Sequence, residues 1–440
     1  MPQITDVVDV TINVQSSGIS RQGFNSLLVV GSSSDFGAGF SEHTVRKYTT
    51  YSSVGDDTDI LSGDLKNALQ VAFAQSPAVP SVYVSRIDTA AVAEVRKLTF
   101  DVDFNAGNSI VVTLDGSALS ADAFNTDQAT TIADVASKIT AQADYTATVT
   151  AAKEITITKG TAGTAFTITA AITGGSAVTA TPSVVTPAQA NGISSSDLSA
   201  IAANNNDWFG YTHVWKDAAS ALTAATFCSL NKKYGFFRQN DFVNQNLNTQ
   251  YATSWYTDTA TNTGVAEFLD VAIASRLLAQ TPGSYTGAFK SLELVGTSDI
   301  SSANEATLRS INVNQYSTIA GVDVTYDGKT SKGSYIDLYI GISYLESRIQ
   351  EDVFAQLSAV EKIPYTNAGV SVIVTAVQAR LNQSVNEGFL SNNPAPLASA
   401  PLVADISAVD KSNRLLPDVT FEATTSGAIH TIKIKGIVVA

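Results

Sequence analysis

The first residues of the chain alternate between apolar and polar positions. Across residues 3–14 one parity is aliphatic and the other is polar, and only Asp6 and Val7 break the rule. Successive side chains of a strand point to opposite faces, so this pattern predicts a strand with one apolar face. Its apolar positions are Ile4, Val8, Val10, Ile12 and Val14. The polar run of residues 15–22 follows as a linker.

Residues 24–88 have the pattern of an α/β segment. Leu27–Gly31 is a short apolar run that ends in a glycine-rich turn, and Ser81–Arg86 is a second strand candidate. Between them a helix is predicted that Asp64 caps at its N-terminus, that carries Leu65, Leu69 and Phe73 on one face and that ends at Ser76-Pro77. A strand, a crossover helix and another strand predict a parallel pair.

The composition changes near Arg96, and residues 97–190 are rich in Thr, Ala and Val. One helix is predicted at Thr131–Ala143, and turns are predicted at Asp115-Gly116 and Gly174-Gly175. This segment therefore indicates a small β-rich domain inserted into a larger one. Its predicted strands are Leu98–Phe104, Ser109–Leu114, Ala147–Thr150, Glu154–Thr158 and Phe166–Ala170.

The α/β character then resumes, with an aromatic strand region at Trp208–Trp215 and an amphipathic helix at Gly264–Leu278. Two longer helices are predicted on either side of Pro364, and Gly388 stands where a helix cap belongs. Their apolar stripes are Ile342, Leu345, Ile349, Val353 and Leu357 in the first helix, and Val370, Ile373, Val377, Leu381 and Val385 in the second.

The chain ends in a second strand pattern, at residues 429–440. Ile432 and Ile434 point one way and Lys433 and Lys435 the other. A single strand cannot pair its backbone or bury its apolar face, so each terminal segment must join a sheet, either in its own subunit or in a neighbour. The apolar positions of this C-terminal strand are Ile429, Ile432, Ile434, Ile437 and Val439.

An estimate of energies favours assembly for the N-terminal strand. Burying its five aliphatic side chains contributes about 8–15 kcal/mol. Ordering eleven residues costs about 11–22 kcal/mol of backbone entropy. Because ladder hydrogen bonds add only a modest net stabilisation, we expect this arm to order only against a preformed neighbouring sheet.

The composition narrows the function classes. Hydrophobic residues make up 44% of the 440 residues and charged residues only 15%, whereas about 25% is usual. The formal net charge of -14 disfavours binding of nucleic acid through phosphates. The N-terminus predicts no signal peptide, and no run approaches the ~20 apolar residues of a membrane helix. Cys228 is the single cysteine, which we interpret as a buried core residue.

No arrangement of residues predicts catalysis, a metal site or a cofactor. None of the three histidines lies in a metal-binding pattern. Gly328-Lys329-Thr330 is like the end of a phosphate-binding loop, but Asp323 stands where that loop needs glycine. A hairpin turn at Asp327-Gly328 explains the stretch better. The histidines are His43, His213 and His430, for which we expect structural or surface roles.

One stretch carries a family resemblance. Residues 288–378 include Asn312-Val313-Asn314-Gln315-Tyr316, the Asp327-Gly328 turn and Lys362–Gly369, and Pro417-Asp418-Val419 and Gly427–His430 follow near the end. This part resembles the tail sheath proteins of contractile-tailed phages (myoviruses), in a sheath-like branch of that family. Residues 24–88 resemble the N-terminal α/β part of such proteins, and residues 97–190 the variable domain that they carry outward.

The resemblance implies an α/β (α+β) multi-domain fold: a mixed-sheet core, an inserted β-rich outer domain and extended terminal strands. The expected units are an N-terminal arm and linker at 1–22, an α/β core at 23–96, the inserted domain at 97–190, a second core part at 191–285, a C-terminal core with two long helices at 286–416 and a C-terminal strand arm at 417–440.

The resemblance also implies a function without catalysis. Sheath subunits form stacked rings, hexameric in expectation, around a tail tube, and terminal strands link neighbours. Contraction then drives the tube through a host envelope. The implied partners are other subunits, the tube protein, and the baseplate and terminator proteins, within a virion tail assembled in host cytoplasm. A tail decoration or receptor-binding or glycan-binding virion protein remains the alternative, because the Thr/Ala-rich insert resembles adhesive β domains.

Overall fold

A computed structural model describes residues 21–435, apart from 62, 89–90, 92, 187–191, 244 and 246. The described residues form eighteen strands. In chain order the strands are β1 Ser26–Ser32, β2 Val45–Tyr48, β3 Ser81–Ile87, β4 Val95–Phe100, β5 Ser109–Leu114, β6 Ser117–Ala118, β7 Asp122–Ala123, β8 Tyr145–Ala151, β9 Glu154–Lys159, β10 Ile168–Thr173, β11 Ala180–Thr186, β12 Gly210–His213, β13 Tyr234–Gln239, β14 Ala252–Tyr256, β15 Val313–Ile319, β16 Val322–Tyr326, β17 Leu397–Ser399 and β18 Thr420–Glu422.

The same residues form ten α-helices. None of these helices combines the length and the hydropathy needed to span a lipid bilayer. In chain order they are α1 Tyr51–Gly55, α2 Asp64–Ala74, α3 Gln128–Thr140, α4 Ser195–Asn204, α5 Ala218–Asn231, α6 Leu269–Leu278, α7 Ser302–Ser310, α8 Ile336–Ser358, α9 Asn367–Asn386 and α10 Ala408–Ser412.

An eight-stranded sheet forms the centre of the fold, in the order β16-β15-β14-β13-β12-β1-β3-β2. Neighbours pair in parallel except at the two outermost strands, β16 and β2. Leu27 and Val29 of β1 pack with α2 and α6, whereas Leu28 and Val30 pack with α4 and α5 on the opposite face. Burial on both faces explains the continuous apolar run of this strand. The predicted parallel pair, β1 and β3, is confirmed.

Strands β4–β11 and helix α3 form a separate unit. It contains two four-stranded sheets with a core of their own, and its first and last strand residues are Val95 and Thr186. Strand β11 was not predicted, because its side chains are mostly exposed and carry no apolar alternation. We propose that this unit is the inserted domain predicted at 97–190, because its core contains no residue of the main sheet.

The C-terminal part is built on two long helices, α8 and α9, which lie on either side of Pro364 in the sequence, as predicted. The two helices pack against each other. Leu345, Val377 and Leu381 lie in their shared core together with Phe389. The small antiparallel sheet of β17 and β18 completes this part. The mixed α/β fold class predicted from the sequence is confirmed.

Two local predictions need correction. Asp327 and Gly328 do form a turn with positive φ, but the hairpin of β15 and β16 closes earlier, at Ala320-Gly321. The Asp327-Gly328 turn instead leads from β16 towards α8, where Lys329 bridges to Tyr335. The helix predicted from Gly264 begins at Leu269, because residues 264–267 form a short 3₁₀ turn.

Candidate assembly surfaces

The predicted N-terminal strand lies outside the described residues. This holds for Ile4, Val8, Val10, Ile12 and Val14 and for most of the linker that follows them. The described chain begins at Arg21, so the structure shows only the residues to which the predicted N-terminal arm would be joined.

Side chains of α8 hold this N-terminal root. Arg21 Nη2 donates to Asp352 Oδ1 at 2.9 Å, and the Gln22 amide donates to Glu351 Oε1 at 2.8 Å. Arg348 Nη2 donates to the Gln22 carbonyl at 3.1 Å, while its Nη1 bonds Glu351 at 2.5 Å. We call these five residues the root clasp. Arg21 and Gln22, which the sequence placed in a linker, are therefore held on α8.

The root clasp continues into α9 through Asp352. Its Oδ2 accepts from Arg380 at 2.7 Å, and the Arg380 side chain is only 4% exposed. The Arg21 side chain is 49% exposed. One carboxylate thus joins a nearly buried arginine of the helix pair to a half-exposed arginine of the arm root.

The C-terminal segment leaves the body without a strand partner in the described residues. Its last backbone contacts are at residues 424–426, which bond to residues 389–391. Ile429, Ile432 and Ile434 are 81%, 75% and 89% exposed. Residues 429–435 are assigned no strand in the isolated chain, and Ile437 and Val439 lie outside the described residues. An apolar segment of this kind is open to pairing with another chain.

His430 anchors the root of this segment. Its Nε2 lies 2.7 Å from Thr286 Oγ1, and its ring meets Tyr335 and Phe289 edge-on at 4.8 and 5.7 Å. A cavity of about 150 Å³ beside it is also lined by Asp337. Burial raises the pKa of Asp337, whose Oδ1 has no hydrogen-bond partner in the described structure. His430 is therefore a structural anchor, within the role expected from the sequence.

Helix α8 consequently lies beside both ends of the described part of the chain. The C-terminal root lies at its first turn, beside Tyr335 and Asp337, and the N-terminal root lies at Glu351 and Asp352. At 1.5 Å per residue, these contacts are ~25 Å apart along the helix axis.

An apolar groove of about 440 Å³ lies beside the helix pair and the small sheet. Five of the aliphatic positions predicted as helix stripes line it, and one of them, Val377, also packs in the core shared by α8 and α9. Each strand of the adjacent sheet pairs only with the other among the described residues, and a two-stranded sheet is marginally stable by itself. The groove is lined by Ile349, Val353, Leu357, Ile373, Val377, Arg414, Leu416, Val419 and Phe421.

Two side chains that could in principle take part in a reaction, those of His213 and Cys228, are buried. Burial lowers the pKa of His213 to about 3, and the Arg238 cation adds to this effect. Cys228 is buried, as predicted, and burial raises the pKa of its thiol. His43 hydrogen-bonds Asp197 at 3.0 Å beside Glu42, a set of groups that could hold a metal ion and that the sequence did not predict.

Sequence analysis missed the root clasp altogether. Arg21 and Asp352 are 331 positions apart, and neither stands in a recognisable motif. The one available signal was the charged face of α8, where Arg348, Glu351 and Asp352 stand close together. A solvent-exposed helix face accounts for such a pattern equally well.

The fold of the described chain is that of contractile sheath proteins. A chain of the anti-feeding prophage (AFP) helical sheath in its contracted state has a TM-score of 0.53 at 10% identity, over 98% of this chain and 99% of that one. A chain of the AFP baseplate gives 0.53 at 8% identity, over 97% and 98%. A chain of the PVC sheath complex of an extracellular contractile injection system, also contracted, gives 0.51 at 9% identity, over 97% of both.

The sequence itself matches one family model. Residues 336–393, which contain α8 and α9, match "E217 tail sheath protein gp31-like, C-terminal domain". No curated protein sequence matches the chain. The resemblance to contractile tail sheath proteins that the sequence suggested is thus confirmed.

Proposed function

We propose that this protein is a subunit of a contractile sheath and acts as a structural element without catalysis. The observation that carries the proposal is the position of α8 beside both ends of the described chain. Arg21 contacts Asp352 inside the region that matches a tail sheath family model, and His430 contacts Tyr335, the residue just before that region. The sheath-like fold of the whole chain supports the same conclusion.

The terminal arms link the subunits by adding strands to the sheets of neighbours. The small sheet of β17 and β18 is a suitable template, because its outer edges have no partner strand among the described residues and an apolar groove lies beside it. Burying each exposed isoleucine of the C-terminal segment would contribute about 1.5–3 kcal/mol. The apolar stripe of the N-terminal arm would contribute in the same way.

Contraction then requires subunits that move as rigid bodies while their arms stay joined. Helix α8 supports this behaviour because it carries both arm roots on one element. In this mechanism the subunits form stacked rings around the tube of a phage tail or related particle, assembled in the host cytoplasm. The tube, the baseplate and the terminator proteins are the expected partners.

Truncation tests the arm model. Deleting residues 1–16 should leave a folded monomer that forms no tubes, whereas the full chain should give hollow striated tubes in electron microscopy. Normal tubes from the truncated chain would contradict strand exchange by this arm. Circular dichroism of both proteins checks that the fold is retained.

A matched pair of double variants tests the C-terminal arm. Ile432→Lys with Ile434→Lys should abolish tubes, because the exposed apolar face of the predicted strand becomes charged. Lys433→Ser with Lys435→Ser changes only the opposite face of the strand and should leave tubes intact. Equal effects of the two pairs would argue against docking through the isoleucine face.

Glycan binding by the protein together with an absence of tubes would favour the decoration alternative.

A further inference from the structure

A polar cleft of about 720 Å³ lies next to the N-terminal root. It is formed where β1 and β3 begin, at Ser26 and Ser81, and is closed by residues 206–207 and by the C-terminal end of α5. Residues 21–25 form one of its walls. The cleft therefore lies at the place where the N-terminal arm leaves the body.

Lys233 contributes a buried cation to this cleft. The residue is 2% exposed, and its Nζ donates to the carbonyls of Asn206 and Trp208 while lying 4.6 Å from the centre of the Trp208 ring. An ammonium group has three donors, so one N–H remains after these two bonds. Among the described residues, no carboxylate lies within ion-pair distance of this lysine. Burial lowers the pKa of Lys233 to about 8, which leaves it mostly charged at neutral pH.

Lys47 adds an exposed cation on the same cleft. It projects from the edge strand β2 over the Tyr83 ring at 5.6 Å, and the described structure gives it no carboxylate partner. The two arginines of the lining, Arg21 and Arg348, are already paired with Asp352 and Glu351. Asp207 is the one acidic residue of the lining. The cleft thus has an uncompensated positive charge on a chain whose net charge is -14.

We propose that this cleft binds a carboxylate side chain from a second copy of the same protein. Acidic residues outnumber basic ones 40 to 26 in the chain, so a neighbouring copy presents mostly negative charge. The inference rests on the proposed function in one respect: the arm that begins beside the cleft brings a neighbour close to it. The contact would fix the orientation of the neighbour, since complementary charges determine register more than affinity.

Carbodiimide crosslinking of the full chain tests the contact, because this reagent joins a lysine amine directly to a carboxylate with which it forms an ion pair. Equal amounts of ¹⁴N-labelled and ¹⁵N-labelled protein are mixed before assembly, and crosslinked peptides are identified by mass spectrometry. We expect peptides of mixed isotope content that join Lys47 to an aspartate or glutamate. Lys332, which is also exposed, is the control and should give none.

Charge reversal provides a second measurement. Lys47→Glu should raise the concentration needed for association at least tenfold, and Lys332→Glu should change it less than twofold. An absence of Lys47 crosslinks between copies, or equal effects of the two variants, would overturn the inference. The proposed function is judged separately by tubes in electron microscopy, since crosslinks between copies can be scored whether or not tubes form.

Discussion

The root clasp predicts that the two arginines bound to Asp352 contribute unequally to local stability: the bond to the nearly buried Arg380 should contribute more than the bond to the half-exposed Arg21. Asp352→Ala leaves Arg380, at 4% exposure, without its 2.7 Å carboxylate partner. A hydrogen bond to a charged group of this burial contributes about 2 kcal/mol, which is about 30-fold in an opening equilibrium. Arg21→Ala removes only a half-exposed pair, whose contribution is about 0–1 kcal/mol and under about fivefold.

Hydrogen exchange measured by mass spectrometry separates these effects, because it reports local opening of each segment. Asp352→Ala should accelerate exchange about 30-fold in α9 and also release residues 21–26. Arg21→Ala should release residues 21–26 alone. Glu361→Ala, at an exposed carboxylate just after α8, is the control. Equal acceleration of α9 by both variants, or none by Asp352→Ala, would refute the shared-carboxylate argument.

Three further predictions concern the body of the fold. Burial keeps His213 neutral in the folded state down to about pH 3, so the unfolded state binds more protons below about pH 6.5. The free energy of unfolding should therefore fall by about 2 kcal/mol between about pH 6.5 and about pH 5. Urea unfolding followed by tryptophan fluorescence should show this loss, and the variant His213→Gln should not show it. Asp270→Ala removes the buried carboxylate partner of Arg238, leaving only Glu267 at 3.6 Å, and should cost about 3–5 kcal/mol in the same assay, part of which Arg238→Met in addition should restore. Gly341→Ala would place a Cβ 2.3 Å from the Phe389 ring and should cost about 1–3 kcal/mol in thermal unfolding, unless Phe389→Leu is made with it.

Elements with a strong local pattern were predictable. The apolar run of β1 reflects burial along a single element, and side-chain periodicity records such burial directly. The stripes of α8 and α9 also predicted these helices, although Ile342 and Leu357 of α8 are 40% and 52% exposed. Helix α5 was missed because its small residues, mostly Ala, Ser and Thr, form no clear stripe. The β15–β16 turn was misplaced because Asp327-Gly328 has stronger turn chemistry than Ala320-Gly321.

The sequence by itself determined the local elements, the charge balance and the resemblance to sheath proteins. Each depends on residues close together in the chain or on composition alone. The tertiary structure decided which distant residues meet: Arg21 with Asp352, and His430 with Thr286. Such contacts depend on strand order and helix packing, which local periodicity does not encode. The position of α8 beside both ends of the described chain, on which the proposed function rests, is therefore visible only in the folded chain.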